Sequence, residues 1–323
     1  MRSTNMALTH VDRVATTVQE SATATLSPVA ASWRRSMVYY GLDPARRSPT
    51  RRLSGPELDR AREKNGNLLE VARPSLERLY QTAGTAGCCV VLTDAEGVIL
   101  QANSTAADRH HFAEWGLAEG AIWNEANEGT NGIGTCIAEK RPVVIFQNEH
   151  FRAQNIAMSC MGAPIYDPSG EIIAVLDVSN CRKDLTHSFA QVLGSVVTES
   201  ARSVESELFQ RAFQGARIIV AEGHGSSGVA LLAVDEDDLV IGATRHARRR
   251  LGLSGEILQA MPSLHEVMAG LRTSQDRGRV EKGEIRRALL RRRGNVSAAA
   301  RDLGISRATM YRRMNQLGIL SEN

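Results

Sequence analysis

Three stretches of this 323-residue chain share one pattern, and it limits the folds open to them. "CCVVLTDAEGVILQ" (88–101), "GAPIYDPSGEIIAVLDVS" (162–179) and "VALLAVDEDDLVIGAT" (229–244) each run apolar and β-rich, turn on acidic residues, and resume apolar. In "DAEG" and "DPSG" the Asp begins the turn, Pro168 presets one dihedral, and Gly97 or Gly170 closes it. Such segments form β-hairpins. Between them lie helical stretches. "FAQVLGSVVTESARSVESELFQRAF" (189–213) repeats apolar residues at Phe189, Val192/Leu193, Val196/Val197, Ala201, Val204 and Leu208. Hairpins interleaved with helices predict an α+β fold, an antiparallel sheet with helices. The 189–213 helix has two readings: packing on its own sheet, or a helix shared across a dimer that carries a signal onward.

A glycine-rich loop, "EGTNGIGT" (128–135), stands before the helix-forming run "CIAEK". Loops that open onto helices can cradle phosphate. A nucleotide-hydrolysing loop needs G-x-x-x-x-G-K-[ST], with Lys on the phosphates. Here Lys140 lies well inside the following run, and "EGHGSSG" (222–228) also lacks the Lys. The spacing G-x-x-G-x-G does not fit the dinucleotide fingerprint either. An anion-binding turn remains open, as does a purely structural use, since glycines permit tight turns and close backbone approach.

The C-terminus reads "GEIRRALLRRRGNVSAAARDLGISRATMYRRMNQLGIL". Ile285, Leu289 and Leu290 sit at helical spacing, predicting a first helix over 281–293 that "GN" breaks. A second, over 296–303, is capped by Asn295 or Ser297 and stops at Gly304. Ser306 caps a third over 307–317, which Gly318 ends. Two short helices about a tight glycine turn make a helix-turn-helix. Met310, Met314 and Leu317 face the second helix at Ala299, Ala300 and Leu303, leaving Arg307, Thr309, Arg312 and Arg313 free to enter a DNA major groove. Charge agrees. From Arg277 onward twelve Lys or Arg meet four acids, giving +8, and the whole chain's +3 leaves −5 for residues 1–276. A basic module on an acidic body points to a polyanionic partner for that module alone.

Hydrophobic content of 42% and charged content of 23% are those of a globular protein, and 323 residues suit two or three domains. The N-terminus lacks a signal-peptide apolar core and no run approaches a membrane span, so a cytoplasmic protein without membrane partners is expected. Five cysteines (88, 89, 136, 160, 181) form no C-x-x-C pair and no zinc-like spacing. No metal and no cofactor are expected.

"GN-x-S-x-AA-x-x-LGISR-x-T" resembles the Fis-type helix-turn-helix that ends many bacterial enhancer-binding activators. The resemblance implies a homodimer on palindromic double-stranded DNA, with Leu289 and Leu290 as dimer candidates and Ser306 among the DNA-contacting positions. Upstream, "SWRRS" (32–36), "GLDP" (41–44), "LTDAEGVIL" (92–100), "EGTNGIGT", "EHF" (149–151) and "SCMGAPIYDPSGEIIAVLDVS" (159–179) resemble, in order, the GAF sensor domain of acetoin- and glycerol-metabolism-type regulators. "QNIAMSC" departs from that family before the Cys-containing strand. "VALLAVDEDDLVIGATRHARRRLGL" (229–253) is similar to the opening of a PAS domain, with Thr244 where Asn is usual. These resemblances imply a helical lead-in (1–75), a GAF sensor (76–209), a truncated PAS-like segment (210–270) and the Fis-type module (277–323). The central ATPase of sigma-54 activators has no room within residues 210–280.

The function implied is a ligand-responsive transcription regulator without ATPase or other enzyme activity. A small metabolite would be the effector, and RNA polymerase a further partner. Trp123, Thr130, Asn131, Thr135, His150 and Cys160 are the pocket candidates that the resemblance implies. Two alternatives rest on thiols: a redox-sensing regulator, or an enzyme similar to free-methionine-sulfoxide reductases working through Cys88, Cys136, Cys160 or Cys181. His150 and Cys160 are a conceivable pair that the sequence does not bring together. A further alternative is a nucleoid-type DNA binder using the tail alone.

Overall fold

The computed structural model of the chain describes residues 2–20, 27–182, 184–221, 229–269, 276–292, 294–316 and 319. The fold is α+β, and the chain divides into two compact units, residues 1–167 with 171–208, and residues 168–170 with 209–323.

The first unit opens with α1 (Arg2–Gln19) and α2 (Pro28–Arg34), the latter continuing as a π-helical turn, Arg35–Tyr39. Ser27 caps α2 and Pro28 starts it, a favoured pairing because proline has no N–H to leave unpaired. Next come α3 (Gly55–Lys64), begun by a Ser54/Glu57 capping box, and α4 (Gly66–Ala83). The expected hairpins follow. Strands β1 (Cys88–Asp94) and β2 (Ile99–Asn103) make one. After α5 (Arg109–Glu114), α6 (Glu125–Glu128), α7 (Gly132–Glu139) and β3 (Val143–Phe146), strands β4 (Ser159–Tyr166) and β5 (Ile172–Asn180) make the other. The five strands form one antiparallel sheet in the order β2-β1-β5-β4-β3.

Alternation along the strands divides the sheet into two faces. Val90, Leu92, Met161, Ala163, Leu176 and Val178 pack under α4 and under α8 (His187–Ala212), whose Leu193, Val197, Ala201 and Val204 are buried there. Within this unit one part of the apolar stripe of α8 is therefore spent on its own sheet, while Phe189 and Val192, which belong to the same stripe, are exposed. The opposite face carries Cys89, Val91, Cys160 and Val175 beneath Trp123, Ile133 and Cys136. In register, Cys160 pairs with Ser179 and Gly162 with Asp177, so β4 and β5 place polar groups on this second face.

The glycine loop is shorter than the sequence suggests, because Gly132 and Gly134 belong to the first turn of α7. Their role is close approach. A Cβ on Gly132 would collide with Asp177 and Cys160, one on Gly162 would collide with the Gly132 carbonyl, and one on Gly134 would meet the backbone of Glu125 at 2.5 Å. Gly129, at φ +68°, supplies the turn.

The second unit has a three-stranded antiparallel sheet in the order β6 (Arg217–Val220), β7 (Leu231–Val234), β8 (Val240–Ala243). The third hairpin is β7–β8; β6 is an additional strand. The short helices α9 (Arg245–Leu251), α10 (Gly255–Gln259) and α11 (Leu264–Met268) start on Thr244, Ser254 and Ser263 caps and close a core around Leu232, Val240, Ala247 and Val267. Thr244 accepts from the Ala247 N–H, the capping task that Asn also performs. The chain ends with α12 (Asp276–Arg291), α13 (Val296–Asp302) and α14 (Arg307–Gln316). Leu317, Gly318, Arg293 and the segment 222–228 lie outside the described residues.

Gly162→Ala should destabilise the first unit by about 1–3 kcal/mol through overpacking. Gly255→Ala, with open space around its Cβ position, should be neutral. Urea unfolding of both variants checks this; a wild-type midpoint for Gly162→Ala would mean that α7 does not approach the sheet this closely.

Candidate functional site

Two regions carry the residues singled out above. The first is the C-terminal trihelix. Asn295, rather than Ser297, caps α13 by accepting from Ala298 N at 3.1 Å. Ser306 caps α14, accepting from Thr309 N at 3.1 Å, and its hydroxyl also meets that of Thr309 at 2.8 Å. Met310 and Met314 are buried with Ala299, Ala300, Ile285 and Ala288, so α14 is clamped on α13 by its apolar face. Gly304 makes the turn at φ +64°. Arg307 and Arg312 are exposed, while Thr309 and Arg313 are half-buried. Arg307 lies over the ring of Tyr311, 5.6 Å from its centroid, which fixes the guanidinium along the helix surface. Tyr311 is part of this exposed face, although it carries no charge. Arg292 grips Asp302 with two hydrogen bonds at 2.8 and 2.9 Å, tying α12 to α13. Of the two leucines on α12, Leu289 packs partly into the trihelical core and Leu290 is 75% exposed.

The second region lies on the face of the large sheet covered by α7. All six pocket candidates are buried there. Asn131 caps α7, accepting from Ile133 N and Gly134 N at 2.9 and 2.8 Å. Ser32 of α2 donates to Glu125 Oε1 at 2.5 Å, so Thr130, 2.7 Å away, donates to Ser32; Thr135 stands 3.3 Å off. Arg35 adds two hydrogen bonds to the same Glu125 carboxylate. Trp123 donates its indole N–H to Gly116 O at 2.9 Å. The "SWRRS" lead-in is thus hydrogen-bonded to the glycine loop across some ninety residues of sequence.

The structure brings His150 and Cys160 together. His150 Nδ1 donates to Gln147 O at 2.9 Å, leaving Nε2 as an acceptor 3.3 Å from Cys160 Sγ. Ser179 stands 3.1 Å from that sulfur and donates to Asp177 Oδ2 at 2.6 Å. Asp177 is fully buried and its Oδ1 has no hydrogen-bond partner among the described residues. The sequence signal for Asp177 and Ser179 was the alternation in "DVS", which sets both on this face. Burial sets the chemistry. It lowers His150 to about 4, so the ring is neutral at pH 7, and it raises Cys160 and Cys136 well above the ordinary thiol range. Cys181 is pushed up to about 12, again by burial. A reactive thiolate needs the reverse, a charged imidazole beside a depressed thiol.

Asp177 and His150 oppose each other in pH dependence. Burial raises Asp177 from 3.8 to about 6, so its contribution favours the fold when protonated and is lost as pH rises through 6. His150 folds neutral, so stability is lost as pH falls from 6.5 toward 4. Each effect amounts to about 3 kcal/mol at full extent. Asp177→Asn should therefore exceed the wild type in stability at pH 7.5 by up to about 3 kcal/mol, with the advantage fading toward pH 4. Urea midpoints measured at four pH values test this, and a pH-independent difference would contradict it.

Two clefts in the same unit include none of the six candidates. One, of about 690 Å³, is lined by residues of 47–52, 113–116 and 153–157; the other, of about 270 Å³, by residues of 41–51, 126–128 and Arg152.

Among the described residues, no helix is long and apolar enough to cross a membrane. The GAF domain family matches residues 67–204, and the bacterial regulatory protein family of Fis type matches residues 277–317. The acetoin catabolism regulatory protein of Cupriavidus necator is 34% identical over 234 residues, covering 70% of this chain and 34% of its own length. AcoR, the acetoin dehydrogenase operon transcriptional activator of Bacillus subtilis, is 30% identical over 180 residues, 56% of this chain and 29% of its own. This chain thus spans about a third of the length of these relatives. In fold, the crystal structure of the E. coli DhaR(N)–DhaL complex is similar, with a TM-score of 0.51 at 15% identity over 74% of this chain and 80% of that one. The chain therefore joins a GAF domain to a C-terminal helix-turn-helix of the Fis family of bacterial regulatory proteins.

Proposed function

We propose that the protein is a DNA-binding transcription regulator whose GAF domain answers to a small metabolite. The observation that carries the DNA-binding half is the division of α14. Met310 and Met314 hold it against α13, and Arg307, Tyr311 and Arg312 stand exposed on the remaining surface. A helix held this way can enter a major groove, with guanidinium groups on guanine edges and phosphates. Ser306 contributes as the cap, and Thr309 and Arg313 flank the reading face. In this reading the module works as a homodimer on a palindromic site. The exposed Leu290 of α12 supports such pairing, and Leu289 supports the module's own core.

The effector is proposed to act on the α7-covered face, where Trp123, Thr130, Asn131, Thr135, His150 and Cys160 lie. Asp177 Oδ1 offers a buried acceptor there for a ligand hydroxyl. The protonated thiols and neutral His150 support a sensor over a cysteine-dependent enzyme or a redox switch. The interval between the two family matches, residues 205–276, carries the end of α8 and the small three-stranded sheet, proposed as a PAS-like spacer in place of an ATPase. The regulator is then a cytoplasmic protein that acts on RNA polymerase through where it sits on DNA.

Arg312→Ala should weaken binding to a specific operator by roughly tenfold, since one phosphate or base contact contributes about 1–3 kcal/mol. It should also reduce the slope of log affinity against log salt by about one. Fluorescence anisotropy across a salt series measures both, and an unchanged slope and affinity would sink the assignment.

A further inference from the structure

Residues 41–54 form a strap across the first unit, pinned at both ends. At one end Ala153 N donates to Pro44 O at 2.9 Å, and Arg152 Nη1 donates to Arg46 O at 3.1 Å. At the other, Ile122 N donates to Arg51 O and Leu53 N to Gly120 O, both at 2.9 Å. Between these pins the two clefts described above open on either side of Ser48 and Pro49, which line both. Pro44 and Pro49 restrict the strap's backbone, so little ordering is left for a ligand to impose.

The charges around the clefts are not balanced locally. Arg52 is engaged with Glu119 O at 2.8 Å, and buried Arg152 is paired with buried Glu128 at 3.3 Å. Asp43 accepts from Ala45 N, and Glu114 pairs with His110. Arg46, Arg47 and Arg51 are exposed at the clefts and make no side-chain hydrogen bond or ion pair among the described contacts; Arg51 exerts only a Coulombic pull on Glu57. Arg47 lines the larger cleft, and Arg46 and Arg51 line the smaller one; each guanidinium offers a planar donor fork. The larger cleft adds apolar walls from Trp115, Ile156 and Pro49. Its volume of about 690 Å³ lies within the range of small-molecule sites, about 300–1,000 Å³.

We propose that the larger cleft beside the strap is a binding site for a small organic anion, a molecule bearing a carboxylate or phosphate, with Arg47 taking the anionic group, Trp115 and Ile156 its apolar body, and Arg46 and Arg51 adding positive potential from the neighbouring smaller cleft. This site is separate from the α7-covered interior and does not depend on the DNA reading proposed above.

The test titrates the full chain with inorganic phosphate and, separately, with citrate at constant ionic strength, following tryptophan emission and melting temperature. A saturable response to either anion is expected, and which one responds identifies the anionic group. Trp115→Phe should abolish the emission change and keep the melting shift. The double variant Arg46→Glu/Arg47→Glu should weaken binding roughly tenfold or more. Arg307→Ala/Arg312→Ala should leave the response intact, which separates this site from phosphate bound by the DNA reader. No saturable response to either anion, an undiminished response in the glutamate variant, or a response lost only in the α14 variant would overturn the proposal. Far-UV circular dichroism and DNA binding of the glutamate variant establish that it is folded.

Discussion

The backbone-to-backbone approach of α7 to the sheet underlies most of the first unit. Gly132 and Gly162 meet where neither could carry a side chain, and Gly134 lies against the backbone at Trp123 and Glu125. Asn131 starts the helix through its own first turn, and the helix so placed brings Thr130 and Thr135 to Ser32. Ser32 and Arg35 then hold Glu125, a carboxylate that burial would otherwise leave costly. Arg35 is only partly buried, but its partner Glu125 is wholly so, and the lead-in is therefore bound to the sensor by more than surface contact. The strap that follows the lead-in inherits this anchoring. A glycine pattern that first suggests a phosphate cradle thus works through steric absence, and its consequences run outward to residues a hundred positions away.

The interior that α7 covers sets a few buried polar groups among apolar ones. Asp177 faces it with one oxygen unpartnered, His150 is held neutral, and Cys160 sits protonated between Ser179 and His150. A buried unsatisfied acceptor costs about 1–3 kcal/mol, and a ligand that brings a hydroxyl recovers it. In the proposed sensor the same residue would therefore disfavour the unliganded fold and reward a ligand hydroxyl. Substituting Asp177 separates the two effects, since an amide relieves the ionisation cost and alters the acceptor.

Features set by local chemistry were legible in the sequence. The hairpin turns, the caps at Asn295 and Ser306, and the opposed Met and Arg faces of α14 each depend on residues within a few positions, and periodicity reports them directly. The α8 stripe was legible as amphipathic but ambiguous in its partner; Leu193, Val197 and Val204 pack on the sheet, while Phe189 and Val192 stay exposed. The Ser32–Glu125 latch, the His150–Cys160 contact and the arginine strap depend on chain segments far apart, and no one-dimensional pattern encodes their meeting. Asp177 is instructive. Its face follows from strand alternation, but its burial follows only from the helix that two glycines allow to sit above it.

The internal spacing of the chain bounds how strongly an effector can act in the proposed regulator. In the proposed regulator, residues 205–276 carry a small PAS-like spacer between sensor and reader, and control runs through binding equilibria. Control then equals the ligand's difference in affinity between the DNA-competent and incompetent arrangements. Moving such an equilibrium from 1:99 to 99:1 requires about 5.5 kcal/mol of differential binding. A small metabolite making a few hydrogen bonds supplies a coupling nearer 1–3 kcal/mol, or roughly 5- to 150-fold in operator affinity. A graded response of that size suits a protein that competes for a site by occupancy. A second effector at the arginine strap would act in the same currency, and two modest couplings on one sensor unit would multiply in operator affinity without any motor.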